Sequence, residues 1–282
     1  MQNTKNNNTA IITGANNGIG LELTRRLLSE GWQIIALIRS SFPQDDNFIN
    51  KAIQEGRIRT YRAELTDFDS LKAALKEIKT HEEKADLLFN NAGGSLSELS
   101  FSKQGREKHF ELQTVVPYII YMELKDLLKK GTMTTVVNTS SSAMNTIKSF
   151  DADTLAHPTT FKKLFGPYAT TKLALSLWTR ELAPAASDEG ITILSVDPGG
   201  NNTLRKDKNS GLPFYIKPLM KFLFAPPTKG ASLLYEAALG PAKGSPGDFL
   251  IKGKPRKLKY VQQSGRVLEI VQSIYYNEFN NN

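Results

Sequence analysis

A tyrosine and a lysine suited to proton transfer stand four residues apart in the segment YATTK, as Tyr168 and Lys172. The pattern that begins at Pro167 predicts a helix, and residues at this spacing project from one helix face. An ammonium about 4 to 5 Å from a phenol contributes roughly 3 to 4 kcal/mol towards the phenolate at an effective dielectric constant of ~20. We therefore expect the tyrosine pKa, ordinarily about 10, to be lowered by about two units. Taken alone, the pair is better explained by an amphipathic helix whose lysine chain covers apolar surface.

A glycine-rich turn supplies a second chemical feature. The segment TGANNGIG, at 13–20, lies between the apolar run TAIIT and a helical pattern. Gly14, Gly18 and Gly20 let the backbone approach a phosphate closely and present N–H groups at the positive end of a helix. A tight strand-to-helix turn capped by asparagines is the alternative that the motif alone leaves open.

The elements that must position these residues alternate along the chain. Strands are predicted at 9–13, 33–38, 57–63, 86–90, 134–140, 191–196 and 248–251, and helices at 18–30, within 44–55, at 67–80, 107–129, from Pro167 and near 228–239. This order predicts a single α/β domain of the Rossmann type over 1–282, with a doubly wound parallel sheet of about seven strands and helices on both faces. Ligands bind beyond the carboxyl ends of such strands, so we expect the insertions at 142–166 and 200–227 to border the substrate.

At five motifs the chain resembles the short-chain dehydrogenase/reductase family. In family order they are TGANNGIG at 13–20, NNAG at 90–93, NTSS at 138–141, YATTK at 168–172 and DPGGNNT at 197–203. The segment between Ser141 and Tyr168 resembles the retinol-dehydrogenase-like reductases. The resemblance implies an enzyme that interconverts an alcohol and a carbonyl, with a nicotinamide cofactor carrying the hydride and tyrosine exchanging the proton.

The resemblance also implies roles for individual residues. Ser141, the second serine of NTSS, hydrogen-bonds the substrate oxygen beside Tyr168. Gln113 stands where the family commonly has an asparagine that holds a water; its extra methylene leads us to expect a shifted water or a slower proton relay. The implied cofactor-binding residues are Gly14, Asn16, Asn17, Gly18, Ile19, Gly20, Glu64, Leu65, Asn91, Ala92, Gly93, Tyr168, Lys172, Pro198, Gly199 and Thr203.

Cofactor preference depends on Arg39, which follows the second predicted strand 19 residues after Gly20. An acidic residue at this place receives the ribose hydroxyls of NAD, whereas an arginine suits the 2′-phosphate of NADP. We therefore expect NADP (NADPH) to be preferred over NAD. The alternative is a loop arginine paired with Asp45 or Asp46. Two residues depart from the family pattern: Glu64 replaces the usual aspartate beside the adenine, and Asn201 places an amide near the nicotinamide.

Composition narrows the possible partners. The chain has 282 residues, no cysteine and three histidines, so we expect no disulfide and no metal site. The net charge of +8 and the basic segment 252–259 allow a nucleic-acid or membrane surface, but charge runs are usually solvated, so we expect no nucleic-acid partner. The polar start and the lack of a run of about 20 apolar residues predict a cytoplasmic protein without stable membrane insertion.

Two functions remain in competition. The first is reduction of a lipophilic ketone or aldehyde, favoured because residues 212–224 are rich in Phe, Leu, Tyr and Met and would suit a lid over the nicotinamide. A core helix or a subunit contact explains that stretch almost as well. The second function is a non-catalytic NADP(H)-binding sensor or scaffold of the same fold. Family resemblance also suggests a homodimer or homotetramer.

Overall fold

An eight-stranded sheet forms the centre of the computed structural model, which describes residues 8–201, 224–241 and 243–281. The strands are β1 Thr9–Thr13, β2 Gln33–Ile38, β3 Ile58–Arg62, β4 Leu87–Asn90, β5 Thr135–Thr139, β6 Thr192–Asp197, β7 Phe249–Ile251 and β8 Lys254–Pro255. Their order is β3-β2-β1-β4-β5-β6-β7-β8. Strands β1 to β7 pair in parallel, and β8 turns back antiparallel to β7.

Helices cover both faces of this sheet. They are α1 Gly18–Ser29, α2 Asn47–Gln54, α3 Phe68–His81, α4 Lys108–Phe110, α5 Val116–Lys129, α6 Pro167–Asp188, α7 Pro227–Leu239 and α8 Ser264–Ile274. A π-helical turn, Glu111–Val115, joins α4 to α5, and a second one, Tyr275–Phe279, follows α8. One core lies under α3, α5, α6 and α8 and includes Trp178; the other lies under α1, α2 and α7 and includes Trp32. Burial on both faces explains why the strands are continuous apolar runs.

The structure confirms the predicted α/β class, and each of the seven predicted strands occurs within one residue of its expected bounds. The sheet has one strand more than expected, because β8 is only two residues long and contains Pro255. Helix α8 was missed although Val267, Val271 and Ile274 recur at helical spacing and are buried. Residues 202–223, which include Thr203 and most of the stretch at 212–224, lie outside the described residues.

The strand order reverses between β1 and β4, and this reversal fixes where a ligand crevice opens. At that point the hydroxyl of Thr13 accepts hydrogen bonds from the backbone N–H groups of Asn91 and Ala92, each at 2.9 Å. The side-chain amide of Asn91 donates to the carbonyl of Thr13 at 3.1 Å. The glycine-rich turn and the NNAG segment are thereby held side by side at the carboxyl edge of the sheet.

Candidate active site

The glycine-rich turn has a backbone that larger residues would disturb. Gly14 and Gly18 have φ of +67° and +53°, in the left-handed region. A Cβ on Gly20 would lie 2.2 Å from the carbonyl oxygen of Gly14. Among the described residues no side chain caps the first turn of α1, and that turn contains no acidic residue. Its positive end is thus open to an anion, which fits the diphosphate of a dinucleotide.

Asn16 joins this turn to the loop after β2. Its Nδ2 donates to the carbonyl oxygens of Ser40 and Ser41, at 2.6 and 3.0 Å. Asn17 is the N-terminal cap of α1 by backbone geometry, without a side-chain hydrogen bond to the helix. Asn16 therefore fixes the turn by hydrogen bonds to the loop after β2. The side-chain amide of Asn17 leaves the N–H groups of the first turn of α1 uncapped.

Arg39 lies beyond the end of β2 and forms an ion pair with Glu64, with Nη1 and Oε2 2.9 Å apart. The alternative pairing with Asp46 does not occur, because Asp46 pairs with Arg25, at 2.6 Å. Partial burial acts to raise the pKa of Glu64, but hydrogen bonds from Arg39 and Thr66 keep it below the ordinary value. Two residues that were predicted separately to face the cofactor therefore neutralise each other.

A second guanidinium contacts the loop after β2. Nη2 of Arg62, the last residue of β3, donates to the hydroxyl of Ser41 at 2.8 Å. Arg62 was not predicted from the sequence, because it reaches Ser41 only when β2 and β3 pair. Its register places Arg62 opposite Ile38, directly before Arg39.

Ser141 and Tyr168 meet beyond the end of β5. The two side chains are close enough for the Ser141 hydroxyl to act on the phenol, where it acts to lower the pKa of Tyr168. Ser141 caps a short 3₁₀ helix, Ser142–Thr146, and Tyr168 lies in the first turn of α6. Ser140 faces away, with its Oγ 2.8 Å from the hydroxyl of Ser176. The fold thus selects the second serine of NTSS as the neighbour of the tyrosine.

Lys172 lies one helical turn beyond Tyr168 and is 4% exposed. Its Nζ donates to the carbonyl oxygen of Thr139 at 2.6 Å. Burial lowers the pKa of Lys172 to about 7, although the charge of Asp197 acts in the opposite direction. A lysine in this state carries only part of a charge near neutral pH.

The pKa of Tyr168 is raised, mainly by burial and also by the charge of Asp197, while the hydrogen bond with Ser141 acts to lower it. This direction is opposite to the one predicted from the spacing of Tyr168 and Lys172. The prediction treated the lysine as a full charge in a polarisable medium. Burial instead disfavours the charged form of both groups.

Gln113 lies on the π-helical turn Glu111–Val115, behind the NNAG segment. Its Nε2 donates to the carbonyl oxygen of Gly94 at 3.2 Å. Its Oε1 is buried and has no hydrogen-bond partner among the residues that the structure describes. A Cβ on Gly93 would lie 3.1 Å from this oxygen. The structure therefore brings Gln113 against NNAG, on a type of helical turn that is frequent at functional sites.

The side chain of Asn201 joins the backbone of the segment after β6 to the backbone of α7. Its Nδ2 donates to the carbonyl oxygens of Pro198 and Gly199, both at 2.8 Å, and its Oδ1 accepts from the backbone N–H of Gly230 at 3.1 Å. The amide that departs from the family pattern is thus used by backbone groups. Of the other predicted cofactor residues, Ile19 packs on the core beneath α1, and Leu65 is buried after β3.

The buried pair Glu107 and His109 also lies at this site and was not predicted from the sequence. The two side chains are 2.6 Å apart, and the imidazole lies edge-on to the ring of Tyr168 with centroids 6.0 Å apart. The segment EKHF carries no motif that predicts this contact. Only the packing of α4 against α6 brings the histidine to the tyrosine.

Two structural features are absent from residues 8–201, 224–241 and 243–281, a metal-ligand cluster and a membrane-spanning helix. Within these ranges no group of three or more His, Asp or Glu side chains is arranged to hold a metal ion. In the same part of the chain no helix is both long and apolar enough to cross a membrane.

The sequence model of the short chain dehydrogenase family matches residues 8–151, about half of the chain. The chain belongs to the short chain dehydrogenase family. Retinol dehydrogenase 12 of Mus musculus is 30% identical over 191 residues, which are 67% of this chain and 60% of that protein. The human and bovine proteins of the same name are covered to the same extent, so the chain spans about 60% of the length of these curated relatives.

Solved structures of short chain dehydrogenases share the fold. L-sorbose reductase of Gluconobacter frateurii, complexed with NADPH and L-sorbose, has a TM-score of 0.65 and 19% identity, over 90% of this chain and 98% of that one. An oxidoreductase of the same family from Brucella ovis, complexed with a partially ordered NAD, has a TM-score of 0.58 and 23% identity, over 86% of this chain and 98% of that one. Members of the family thus bind either nicotinamide dinucleotide.

Proposed function

We propose that the chain is an NADP-dependent oxidoreductase that interconverts an alcohol and a carbonyl. The observation that carries the proposal is the proximity of the Ser141 and Tyr168 side chains beyond the carboxyl end of β5. Lys172 is buried one turn behind the tyrosine, and the glycine-rich turn opens at the same edge of the sheet. These are the groups that reduction of a carbonyl requires, a proton donor and a second hydroxyl for the same oxygen.

Tyr168 supplies the proton in the reducing direction. Because burial raises its pKa, Tyr168 is a neutral phenol near neutral pH and donates its Oη proton to the carbonyl oxygen. Ser141 hydrogen-bonds that oxygen and stabilises the negative charge that develops on it. A nicotinamide cofactor held at this site would supply the hydride. The phenolate left on Tyr168 is favoured by the protonated form of Lys172.

Four parts of the chain would hold the cofactor. The glycines at 14, 18 and 20 receive the diphosphate at the open end of α1. Asn91, Ala92 and Gly93 line the crevice at the strand reversal, and Pro198 and Gly199 border it beyond β6. Arg39 binds the 2′-phosphate, which is why we propose NADP rather than NAD. The lipophilic character of the substrate is supported by the name of the retinol dehydrogenase relatives.

The first test is NADPH consumption with quinones, aromatic and aliphatic aldehydes and cyclic ketones, comparing the native chain with Tyr168→Phe. We expect turnover with at least one apolar carbonyl and a loss of at least ~100-fold in the variant. Saturable NADPH binding without any turnover would contradict the proposal and favour the sensor. Thermal unfolding and NADPH affinity of the variant show whether it remains folded.

The second test addresses cofactor preference. Arg39→Asp is expected to lower the preference for NADPH over NADH, because a carboxylate repels a 2′-phosphate and accepts from ribose hydroxyls. An unchanged preference would show that Arg39 does not bind the 2′-phosphate. The cytoplasmic location and the homodimer or homotetramer remain predictions, and size-exclusion chromatography with light scattering tests the oligomeric state.

A further inference from the structure

The fully buried pair Glu107 and His109 has no part in the proton transfer proposed above. Their side chains are at most 1% exposed. One carboxylate oxygen of Glu107 lies 2.6 Å from Nδ1 of His109, and the other accepts from the backbone N–H of Phe110 at 2.9 Å. A buried carboxylate and imidazole are retained only where specific hydrogen bonds satisfy them. The bonds from His109 and from the backbone N–H of Phe110 satisfy the Glu107 carboxylate in this way.

The hydrogen bonds assign the tautomer of His109. Its Nε2 lies 2.9 Å from the backbone nitrogen of Leu96, whose N–H can only donate. Nε2 is therefore the acceptor and carries no proton. Nδ1 then carries the proton and donates it to Glu107. The imidazole therefore has one defined orientation.

Two segments near Tyr168 meet at this pair. Leu96 belongs to the loop that follows β4. From the insertion at 142–166, the ring of Phe161 stacks on His109, with centroids 6.4 Å apart. The backbone N–H of Glu107 donates to the carbonyl oxygen of Ala156 in the same insertion, at 2.8 Å.

The loop after β4 also bonds to a strained residue, Leu164, in the insertion that precedes Tyr168. Leu164 has φ of +65°, which is unfavourable for a residue with a branched side chain. Its backbone N–H donates to the hydroxyl of Ser95 at 3.2 Å. Ser95 thus bonds to the insertion that precedes Tyr168, and Leu96 bonds to the histidine that packs beside the tyrosine ring. Strain of this kind persists only where the surroundings enforce it.

We propose that His109, oriented by Glu107, is a positioning residue that anchors the loop at Leu96 and so sets the place of the Tyr168 hydroxyl. The inference rests on the proposed function for its kinetic consequence. His109 acts through Leu96 and does not touch substrate. Proton transfer depends steeply on distance, so a loosened loop lowers the rate more than it weakens cofactor binding.

Two variants separate the two bonds of the imidazole. His109→Gln keeps an acceptor near the position of Nε2, and His109→Asn keeps a donor near the position of Nδ1. We expect kcat to fall about tenfold or more in the asparagine variant and to stay within about threefold in the glutamine variant. NADPH affinity should stay within about twofold in both, which also shows that they are folded. Equal losses of kcat, or no loss in either, would overturn the proposal.

A matched control and a readout without turnover complete the experiment. His81 is the exposed last residue of α3, at the amino edge of the sheet and away from the insertion at 142–166, so His81→Gln should leave kcat unchanged. Hydrogen exchange of the Leu96 amide should be slow in the native chain and in His109→Gln, and fast in His109→Asn. Equal exchange in both variants would refute the anchoring role. NADPH binding without turnover would defeat the proposed function alone, because amide exchange still decides whether His109 holds the loop.

Discussion

The guanidinium of Arg39 and the carboxylate of Glu64 form an ion pair of 2.9 Å beyond the carboxyl ends of β2 and β3. Arg39 is the residue proposed to bind a 2′-phosphate, and Glu64 the one expected beside the adenine. In this arrangement the carboxylate competes with the phosphate for the guanidinium. Glu64 should therefore moderate the preference for NADP that we propose for Arg39.

Removing the charge of Glu64 should strengthen NADP binding. Both side chains of the pair are more than 40% exposed, and exposed pairs contribute about 0.2 to 1 kcal/mol. We expect Glu64→Gln to bind NADP⁺ up to about fivefold more tightly, with NAD⁺ affinity little changed. Calorimetric titration with each dinucleotide gives both affinities.

A matched control uses another exposed ion pair. Glu55 lies 2.9 Å from Arg57 at the opposite edge of the sheet, and its exposure of 42% is close to the 43% of Glu64. Glu55→Gln should therefore leave both affinities unchanged. Weaker NADP⁺ binding in Glu64→Gln would show that the carboxylate assists the arginine, for example by orienting it.

These contacts mark the limit of prediction from the sequence. Strands β1 and β2 match their predicted bounds because buried parallel strands are continuous apolar runs with turn residues at their ends. The partner of Arg39 was sought locally, at Asp45 and Asp46. The actual partner follows another strand and comes close only through the pairing of β2 with β3.

The same reasoning applies to the candidate site. The motifs placed Ser141, Tyr168 and the glycine-rich turn at one edge of the sheet, because each follows a strand or begins a helix. The direction of the Tyr168 pKa was wrong because burial is a property of the packed chain. His109 was missed because its contacts with Leu96 and Tyr168 join separate segments and leave no periodic signal.

The orientation of the neighbouring serines predicts a sharp difference in activity. Ser141 lies beside Tyr168 and acts on its pKa, whereas Ser142 is exposed. We expect Ser141→Ala to lower kcat by roughly 100-fold, because it removes a hydrogen bond to the developing oxyanion. Ser142→Ala should retain the native rate. Steady-state kinetics with one carbonyl substrate measures both variants, and similar rates in the two would refute the role given to Ser141.

The buried serine should instead affect stability. The hydroxyl of Ser140 lies 2.8 Å from that of Ser176 and donates to the carbonyl oxygen of Lys172 at 3.1 Å. Ser140→Ala is expected to lower the free energy of unfolding by about 1 kcal/mol. Urea unfolding measures the change. A variant as stable as the native chain would show that this hydroxyl adds nothing to the fold.

Close packing between Gly93 and Gln113 predicts coupling between the two positions. An added Cβ at Gly93 would lie 3.1 Å from Oε1 and 3.4 Å from Cδ of the glutamine. Gly93→Ala should therefore destabilise the native chain by about 1 kcal/mol and have little effect when Gln113 is already alanine. Urea unfolding of the two single variants, the double variant and the native chain tests this. Additive effects would mean that the glutamine moves aside without cost.

Lys172 predicts a pH dependence of stability with a definite sign. Burial lowers its pKa in the folded chain to about 7, from a model-compound value of 10.5. Between these two values the unfolded chain binds a proton that the folded chain lacks, so stability rises with pH. The gain is at most about 1.4 kcal/mol for each pH unit. Above about pH 10 the raised pKa of Tyr168 acts in the opposite direction.

Lys172→Met removes this titration and nearly preserves the side-chain volume. We therefore expect the free energy of unfolding of the native chain to increase relative to the methionine variant from about pH 7 to about pH 9.5. Urea unfolding across that range measures the difference, in which the titrations common to both chains cancel. Tyr168→Phe is the control, because the tyrosine stays protonated over this range and its profile should parallel the native one. Parallel profiles for Lys172→Met and the native chain would place the lysine pKa near its ordinary value, and the lysine would then carry a full charge beside Tyr168 at neutral pH.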